Sequence, residues 1–267
     1  MRRGAASRPL VGLLVPAAVA LLFILLPLLG LLAHVSPADL TAALASPDVV
    51  TALRLSLECS VLAVVVSAVV GVPLAYILAR SAVPGRGLLR GLVMLPLVLP
   101  PVVGGIALQT AFGRATPIGR VLHDLFGVTL PFSTAGAVMA EAFVGLPFLV
   151  ITVEAGLRQL DGGLEEVAAT LGARPWRRFW RITMPLLTPS LTAGAALCWA
   201  RALGEFGATI TFAGSFPGTT ETLPLAAYSA FEGSGAVSRA ITISLILLVI
   251  SVAVLIGLRN RWLGAAR

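Results

Sequence analysis

Glu165-Glu166-Val167-Ala168-Ala169-Thr170-Leu171-Gly172, followed by Ala173-Arg174-Pro175-Trp176-Arg177-Arg178-Phe179-Trp180-Arg181-Ile182-Thr183-Met184-Pro185, is the one long polar interruption in an otherwise apolar chain. Two acids stand where a short helix would begin and arginines gather where the segment ends, an order that suits a helix dipole. Asp161 is a suitable N-cap for that helix and Gly172 a suitable C-terminal stop. Beyond Gly172, Trp176, Phe179 and Trp180 share one helical face, while Arg174, Arg177, Arg178 and Arg181 fall on the other. A helix of that pattern lies in a membrane interface with its rings among the headgroups. The spacing therefore predicts a short docking helix, an interfacial helix, and a return into the bilayer at Pro185.

Working outward, the 267 residues are 58% hydrophobic and 12% charged, with mean hydropathy +0.99. A soluble domain carries about twice that charge fraction. The class is an all-α polytopic membrane protein. The net charge of +7 does not describe a nucleic-acid surface, because the basic residues lie in short loops between apolar runs. All 19 basic residues are arginine. Without a lysine the chain has no P-loop, so it is not itself a Walker-type ATPase. Cys59 and Cys198 form no Cys-x-x-Cys pair and read as small buried hydrophobes.

Six apolar spans are expected, at about 10–33, 57–79, 91–111, 134–157, 186–212 and 240–258, with a cytoplasmic loop at 158–185. They make up one transmembrane domain. The first run exceeds the apolar core of a signal peptide and is read as a retained helix. Fourteen of the arginines fall on one side of this arrangement, at the N-terminus, after span two, around the loop and at the C-terminus. Arg54, Arg114, Arg120 and Arg239 fall on the other, and Arg201 within a span. Both termini are therefore expected in the cytoplasm.

Several positions inside the spans stand out. Span three carries Pro96, Pro100, Pro101, Gly104 and Gly105, which kink or break a helix. A packing kink and a bent helix lining a pathway are both open readings. Glu141 is an ionisable residue within span four, read as an interhelical hydrogen-bonding group or a pathway residue. Glu154 and Arg158, spaced i to i+4, read as a surface pair near the inner end of that span. In span five, Arg201 and Glu205 are one turn apart and can neutralise each other, either as a packing pair or as part of a gate.

The polar interruption resembles the cytoplasmic loop of permease subunits in binding-protein-dependent ABC importers, Glu-Ala-Ala-x-x-x-Gly-x9-Ile-x-Leu-Pro. Here it stands as Glu166, Val167, Ala168, Gly172, Ile182, Met184 and Pro185, with Val167 for the first Ala and Met184 for Leu. The resemblance implies a type I importer permease fold. It also implies a coupling role for Glu165, Glu166, Ala168, Ala169, Gly172, Ile182 and Pro185 against a separate ATPase subunit. Ala200-Arg201-Ala202-Leu203-Gly204-Glu205-Phe206-Gly207, together with Pro217-Gly218-Thr219-Thr220-Glu221-Thr222-Leu223-Pro224-Leu225, is similar to molybdate and tungstate permeases. Sulfate permeases share Arg-Ala-Leu-Gly-Glu but typically carry Tyr-Gly in place of Phe206-Gly207.

What the resemblance implies is oxyanion import across a bacterial-type cytoplasmic membrane. The implied partners are a second permease copy, two ATPase subunits and an extracytoplasmic oxyanion-binding protein. Arg201, Glu205, Pro100, Pro101 and Glu141 become candidates for the pathway or gate. No cofactor belongs to this chain; MgATP would sit on the partner. An ion-coupled carrier would instead show inverted repeats, and none is visible. An intramembrane hydrolase would show His-Glu-x-x-His or Gly-x-Ser-x-Gly, and neither occurs.

Overall fold

The computed structural model describes residues 11–81, 83–233 and 237–263. All regular structure among them is helical. The first stretch gives α1 (Val11–Ala33), a short α2 (Pro37–Ala45) and a long α3 (Pro47–Arg80). Next come α4 (Arg86–Val98), α5 (Pro101–Phe112), α6 (Pro117–Phe126) and α7 (Thr134–Gln159). The polar interruption forms α8 (Gly163–Thr170), α9 (Pro175–Arg178) and a π-helical turn at Phe179–Thr183. The chain ends with α10 (Met184–Leu203), α11 (Gly207–Phe212), α12 (Leu223–Glu232) and α13 (Val237–Leu263).

Among the described residues five helices are long and apolar enough to cross a membrane, and α4 with α5 forms a sixth if the bent pair is one span. Their centre is the α3–α7–α10 packing, where Leu78, Leu149, Val153, Leu157 and Leu187 are fully buried. Lipid is as apolar as leucine, so burial of such residues drives helix association weakly and close packing must contribute more. Ala63, Ala137, Ala140, Ala142, Ala202, Ala208 and Ala213 supply it: all are buried and let the helix backbones approach. α12 and α13 close one side through Leu223, Ile243 and Ile246. α1 lies at the periphery, its apolar surface exposed all round.

Five features differ from the reading of the sequence. Span two begins ten residues early, because Pro47 and Asp48 start a helix that α3 continues for 34 residues. At 1.5 Å per residue it is about 51 Å long, well beyond a bilayer core of about 30 Å. Arg54, expected outside the span, lies within α3 and forms an exposed i,i+4 ion pair with Glu58 at 2.6 Å.

Span three is two short helices bent by 117° at Leu99–Pro100 rather than one kinked helix. At 13 and 12 residues, each is too short to cross alone. Span five likewise stops at Leu203 and resumes as α11 after a break at Gly204-Glu205-Phe206.

The expected interfacial helix does not exist as a separate element. α9, the π-helical turn and α10 form one continuous helix from Pro175 to Leu203. Pro185 has no N–H to offer the Arg181 carbonyl, and the chain widens just before it: Met184 N–H bonds Phe179 O, an i to i+5 step. Finally, part of the segment expected as outer loop at 214–235 is α12, whose Leu223 and Leu225 are fully buried. Residues 234–236, and the N-terminal and C-terminal arginines Arg2, Arg3, Arg8 and Arg267, lie outside the described residues.

Candidate functional site

Two regions gather the residues singled out in the sequence. The first is α8. Asp161 stands one residue before its N-cap, Gly162, and accepts the Gly163 N–H at 2.9 Å. It therefore serves the first turn without being the cap itself. At the other end Gly172 adopts φ +79°, a conformation that costs any residue with a Cβ. Gly172 N–H bonds Ala169 O at 3.0 Å and Ala173 N–H bonds Ala168 O at 2.9 Å, the paired bonds of a Schellman stop.

Glu165 and Glu166 point to different tasks. Glu165 is turned to the bundle, where its carboxylate accepts the buried Thr183 hydroxyl at 2.8 Å. Arg80, at the end of α3, lies 3.9 Å from the same oxygen and donates to Leu160 O at 3.1 Å. Arg178 donates to the Glu165 carbonyl at 3.3 Å. α8 is thus fastened to the ends of α3 and α7 and to the start of the α9–α10 helix. Glu166 and Ala169 are exposed and Ala168 half-buried. Leu164, Val167 and Leu171, spaced i, i+3 and i+7, are 54%, 59% and 82% exposed. The stripe stands in the sequence at helical spacing, but the charges interleaved with it mask it there. Ile182 is half-buried and Pro185 exposed at the entry to α10.

The same end of the bundle holds Arg80, Arg86, Arg90, Arg158, Arg174, Arg177, Arg178 and Arg181. Glu154 is buried here rather than on the surface. Its carboxylate lies 2.8 Å from Arg158 and also takes the Arg90 guanidinium from α4, Nε to Oε2 at 3.3 Å. The i,i+4 pair was legible in sequence; the third partner, 64 positions away, was not.

The second region is the meeting of the two broken spans. Pro101 and Val102 open α5, directly against Gly207, which opens α11. A Cβ built on Gly207 would come within 2.8 Å of Pro101 Cβ. One turn on, a Cβ on Gly105 would overlap the Thr211 hydroxyl and lie 2.8 Å from Ala208 O. The prolines of span three and the Arg201–Gly207 run, separated by a hundred positions, are therefore brought together. Pro100 stands at the break itself as the residue before α5.

Arg201 Nη1 lies 2.7 Å from Glu205 Oε2. The other oxygen of Glu205 accepts the Ala208 N–H at 2.8 Å, so its carboxylate neutralises the end of α11 as well as the guanidinium. Glu205 is 1% exposed, while the Arg201 side chain is 29% exposed. Glu141 in α7 is also 1% exposed, and its Oε2 has no hydrogen-bond partner among the described residues. The structure buries it in the helix core and gives that oxygen no interhelical bond. Beside the break, Phe206 packs on Tyr228 of α12 with ring centroids 4.8 Å apart. The Tyr228 hydroxyl donates to the Glu232 carboxylate, which raises its phenol above the ordinary value. This aromatic pair escaped the sequence reading, since nothing in the spacing links positions 206 and 228.

Against known proteins, residues 71–265 match the family described as binding-protein-dependent transport system inner membrane component. The chain is 45% identical over 246 residues to the molybdenum transport system permease protein ModB of Mycobacterium tuberculosis (strain ATCC 25618 / H37Rv), covering 92% of each. It is 39% identical over 207 residues to the sulfate transport system permease protein CysT of Escherichia coli (strain K12), covering 76% of this chain and 74% of that one. A bacterial ABC transporter involved in the import of the acidic polysaccharide alginate shares its fold, with TM-score 0.72, 19% identity and 93% of both chains covered. The helical bundle, the apolar spans and the match over most of the chain agree: this is a multi-pass inner-membrane protein with the ABC importer permease fold, and it belongs to the binding-protein-dependent transport system inner membrane component family.

Proposed function

We propose that the chain is the permease subunit of an ABC importer that moves molybdate, or the closely similar tungstate, into the cytoplasm. The observation that carries this reading is α8, a short helix held rigidly outside the bundle with an apolar stripe left uncovered. Leu164, Val167 and Leu171 are costly to leave in water, and a partner surface would bury them at about 25 cal/mol per Å². A separate ATPase subunit is that partner, and its MgATP supplies the energy this lysine-free chain has no P-loop to harvest. Both termini and α8 lie in the cytoplasm, with the arginine-rich end of the bundle facing inward.

In this mechanism two permease copies form the pathway, and an extracytoplasmic oxyanion-binding protein delivers cargo at the opposite end. ATP-driven closure of the ATPase pair moves α8. The bonds from Glu165 to Thr183 and from Arg178 to the Glu165 carbonyl pass that movement into the helix that carries Arg201. The chain performs no covalent chemistry. Its relatives named for molybdenum support molybdate over sulfate as cargo, being more similar over more of the chain.

The test is uptake into proteoliposomes holding the permease, its ATPase and its binding protein. Radiolabelled molybdate should accumulate only with ATP, and excess tungstate should compete while excess sulfate should not. Accumulation driven by an ion gradient without ATP would overturn the reading of the class. Competition by sulfate as strong as by tungstate would overturn the cargo.

A further inference from the structure

α6 is a short helix with two sharply different faces. At about 100° per residue, Ile118, Val121, Leu122, Leu125 and Phe126 fall within one arc of about 140°. Arg120, His123 and Asp124 occupy the opposite side, centred about 180° away. These polar groups engage one another and the residue before the helix: His123 Nδ1 lies 3.2 Å from Asp124 Oδ1, and Arg114 Nη2 lies 3.5 Å from His123 Nε2. The apolar face is left open. Leu125 and Phe126 are 72% and 70% exposed, and Ile118 and Val121 are exposed beside them.

The helix is nevertheless fixed in place. Thr116 caps its N-terminus, accepting the Gly119 N–H at 3.0 Å. Gly127 ends it at φ +65°, with the Gly127 N–H on His123 O at 2.9 Å and the Val128 N–H on Leu122 O at 3.2 Å. Gly119 is buried, and a Cβ there would overlap the Gly113 carbonyl, so α6 packs directly on the end of α5. Residues 127–133 then lead into the spanning helix α7. α6 is therefore set at the level where α5 leaves the hydrocarbon and α7 enters it, at the end of the bundle opposite α8.

A bilayer surface is the partner such a helix fits. Its apolar side chains reach the acyl boundary while Arg120 and His123 stay among headgroups and water. As a contact with a second copy of the chain the same face is too small: a strip about 15 Å long and about 10 Å wide falls far short of the about 800 Å² per partner of a stable interface. We propose that α6 is an interfacial anchor, its apolar face sunk into the leaflet opposite α8, and that it fixes the depth of the adjoining end of α5. Since α5 carries the Gly105 contact with Thr211 of α11, the anchor would hold one side of the junction between the broken spans at a set level.

The full-length permease, with its ATPase and without a binding protein, is placed in phospholipid nanodiscs and nitroxide-labelled at single introduced cysteines, Cys59 and Cys198 being buried. Collision with oxygen, which concentrates in lipid, is compared with collision with a water-soluble nickel chelate. Labels at Val121→Cys and Leu125→Cys should show an oxygen-to-nickel ratio severalfold above labels at Arg120→Cys and Asp124→Cys. Adding Ile118→Asp/Phe126→Asp, at two exposed positions outside the core, should turn the Val121→Cys label toward nickel. Equal ratios on the two faces, or a Val121→Cys ratio unmoved by the aspartates, would overturn the proposal. So would exclusion of both reagents from the Leu125→Cys label, and dipolar coupling between labels on two copies would then name a second copy as the occupant. None of these readouts depends on molybdate, so failure here leaves the transport reading intact, and the reverse also holds.

Discussion

The Glu165 carboxylate accepts the Thr183 hydroxyl at 2.8 Å, joining α8 to the buried entry of the helix that continues as α10. It is the one side-chain to side-chain hydrogen bond between the partner-facing helix and that spanning helix among the described residues. A bond to a charged acceptor contributes about 1.5–3 kcal/mol, enough to decide whether α8 moves with the bundle or independently of it.

Thr183→Val keeps the shape of the side chain and removes the donor. Molybdate uptake is expected to fall roughly tenfold, the loss corresponding to about 1.4 kcal/mol, with the amount of permease in the membrane unchanged. Thr183→Ser should keep most of the activity. Uptake by Thr183→Val equal to wild type would show that this bond carries no movement.

Gly172 closes α8 at φ +79° with open space around the position of a Cβ, so the cost of substitution is conformational and not steric. Gly172→Val should abolish uptake while the spans stay folded, because a β-branched residue is strained in that region. Gly172→Asn tolerates the conformation better and should retain partial activity. Comparing uptake with surface expression for the pair checks this; equal activity of Val and Asn variants would rule out a conformational origin.

The contact between the two broken spans leads to a third expectation. Gly207→Ala places a methyl against Pro101, and Gly105→Ala places one on the Thr211 hydroxyl. Each should separate α5 from α11 and destabilise the purified permease by about 1–3 kcal/mol, read as a lowered melting temperature. Gly87→Ala, with nothing near its Cβ position, is the control and should leave stability unchanged.

Glu205 joins Arg201 to the N-terminus of α11, and Glu205→Gln would leave an amide oxygen for the Ala208 N–H while removing the charge. Breaking such a buried pair costs about 3 kcal/mol. We expect a lower melting temperature together with ATP hydrolysis less tightly linked to uptake. A stable Glu205→Gln complex with unchanged uptake and unchanged coupling would exclude the pair from both packing and the gate.

What the sequence made legible was local. The helix stop at Gly172 and the Arg201–Glu205 pair each lie within one helical turn of their partners, so spacing alone exposes them. What it hid was of two kinds. Arg54 is a charge outside the apolar run of span two, yet α3 includes it, because an i,i+4 ion pair with Glu58 lets the helix carry both charges. Contacts across the chain left no local trace: Arg90 with Glu154, Gly207 with Pro101, and Phe206 with Tyr228 each depend on the bundle being assembled. The prolines showed that span three would bend, but not that it would turn through 117°.

The central claim is that ATP hydrolysis on a separate subunit drives transport through α8. Leu164→Asp/Val167→Asp tests it most directly, since both side chains are exposed and contribute nothing to the core. In proteoliposomes with the binding protein inside the vesicle and ATPase outside, ATP-driven molybdate transport is measured alongside the amount of ATPase co-purifying with the permease. The account predicts that the double variant loses both together while the permease remains folded. Wild-type transport with the charged α8, or transport lost with the ATPase still firmly bound and fully stimulated, would contradict it.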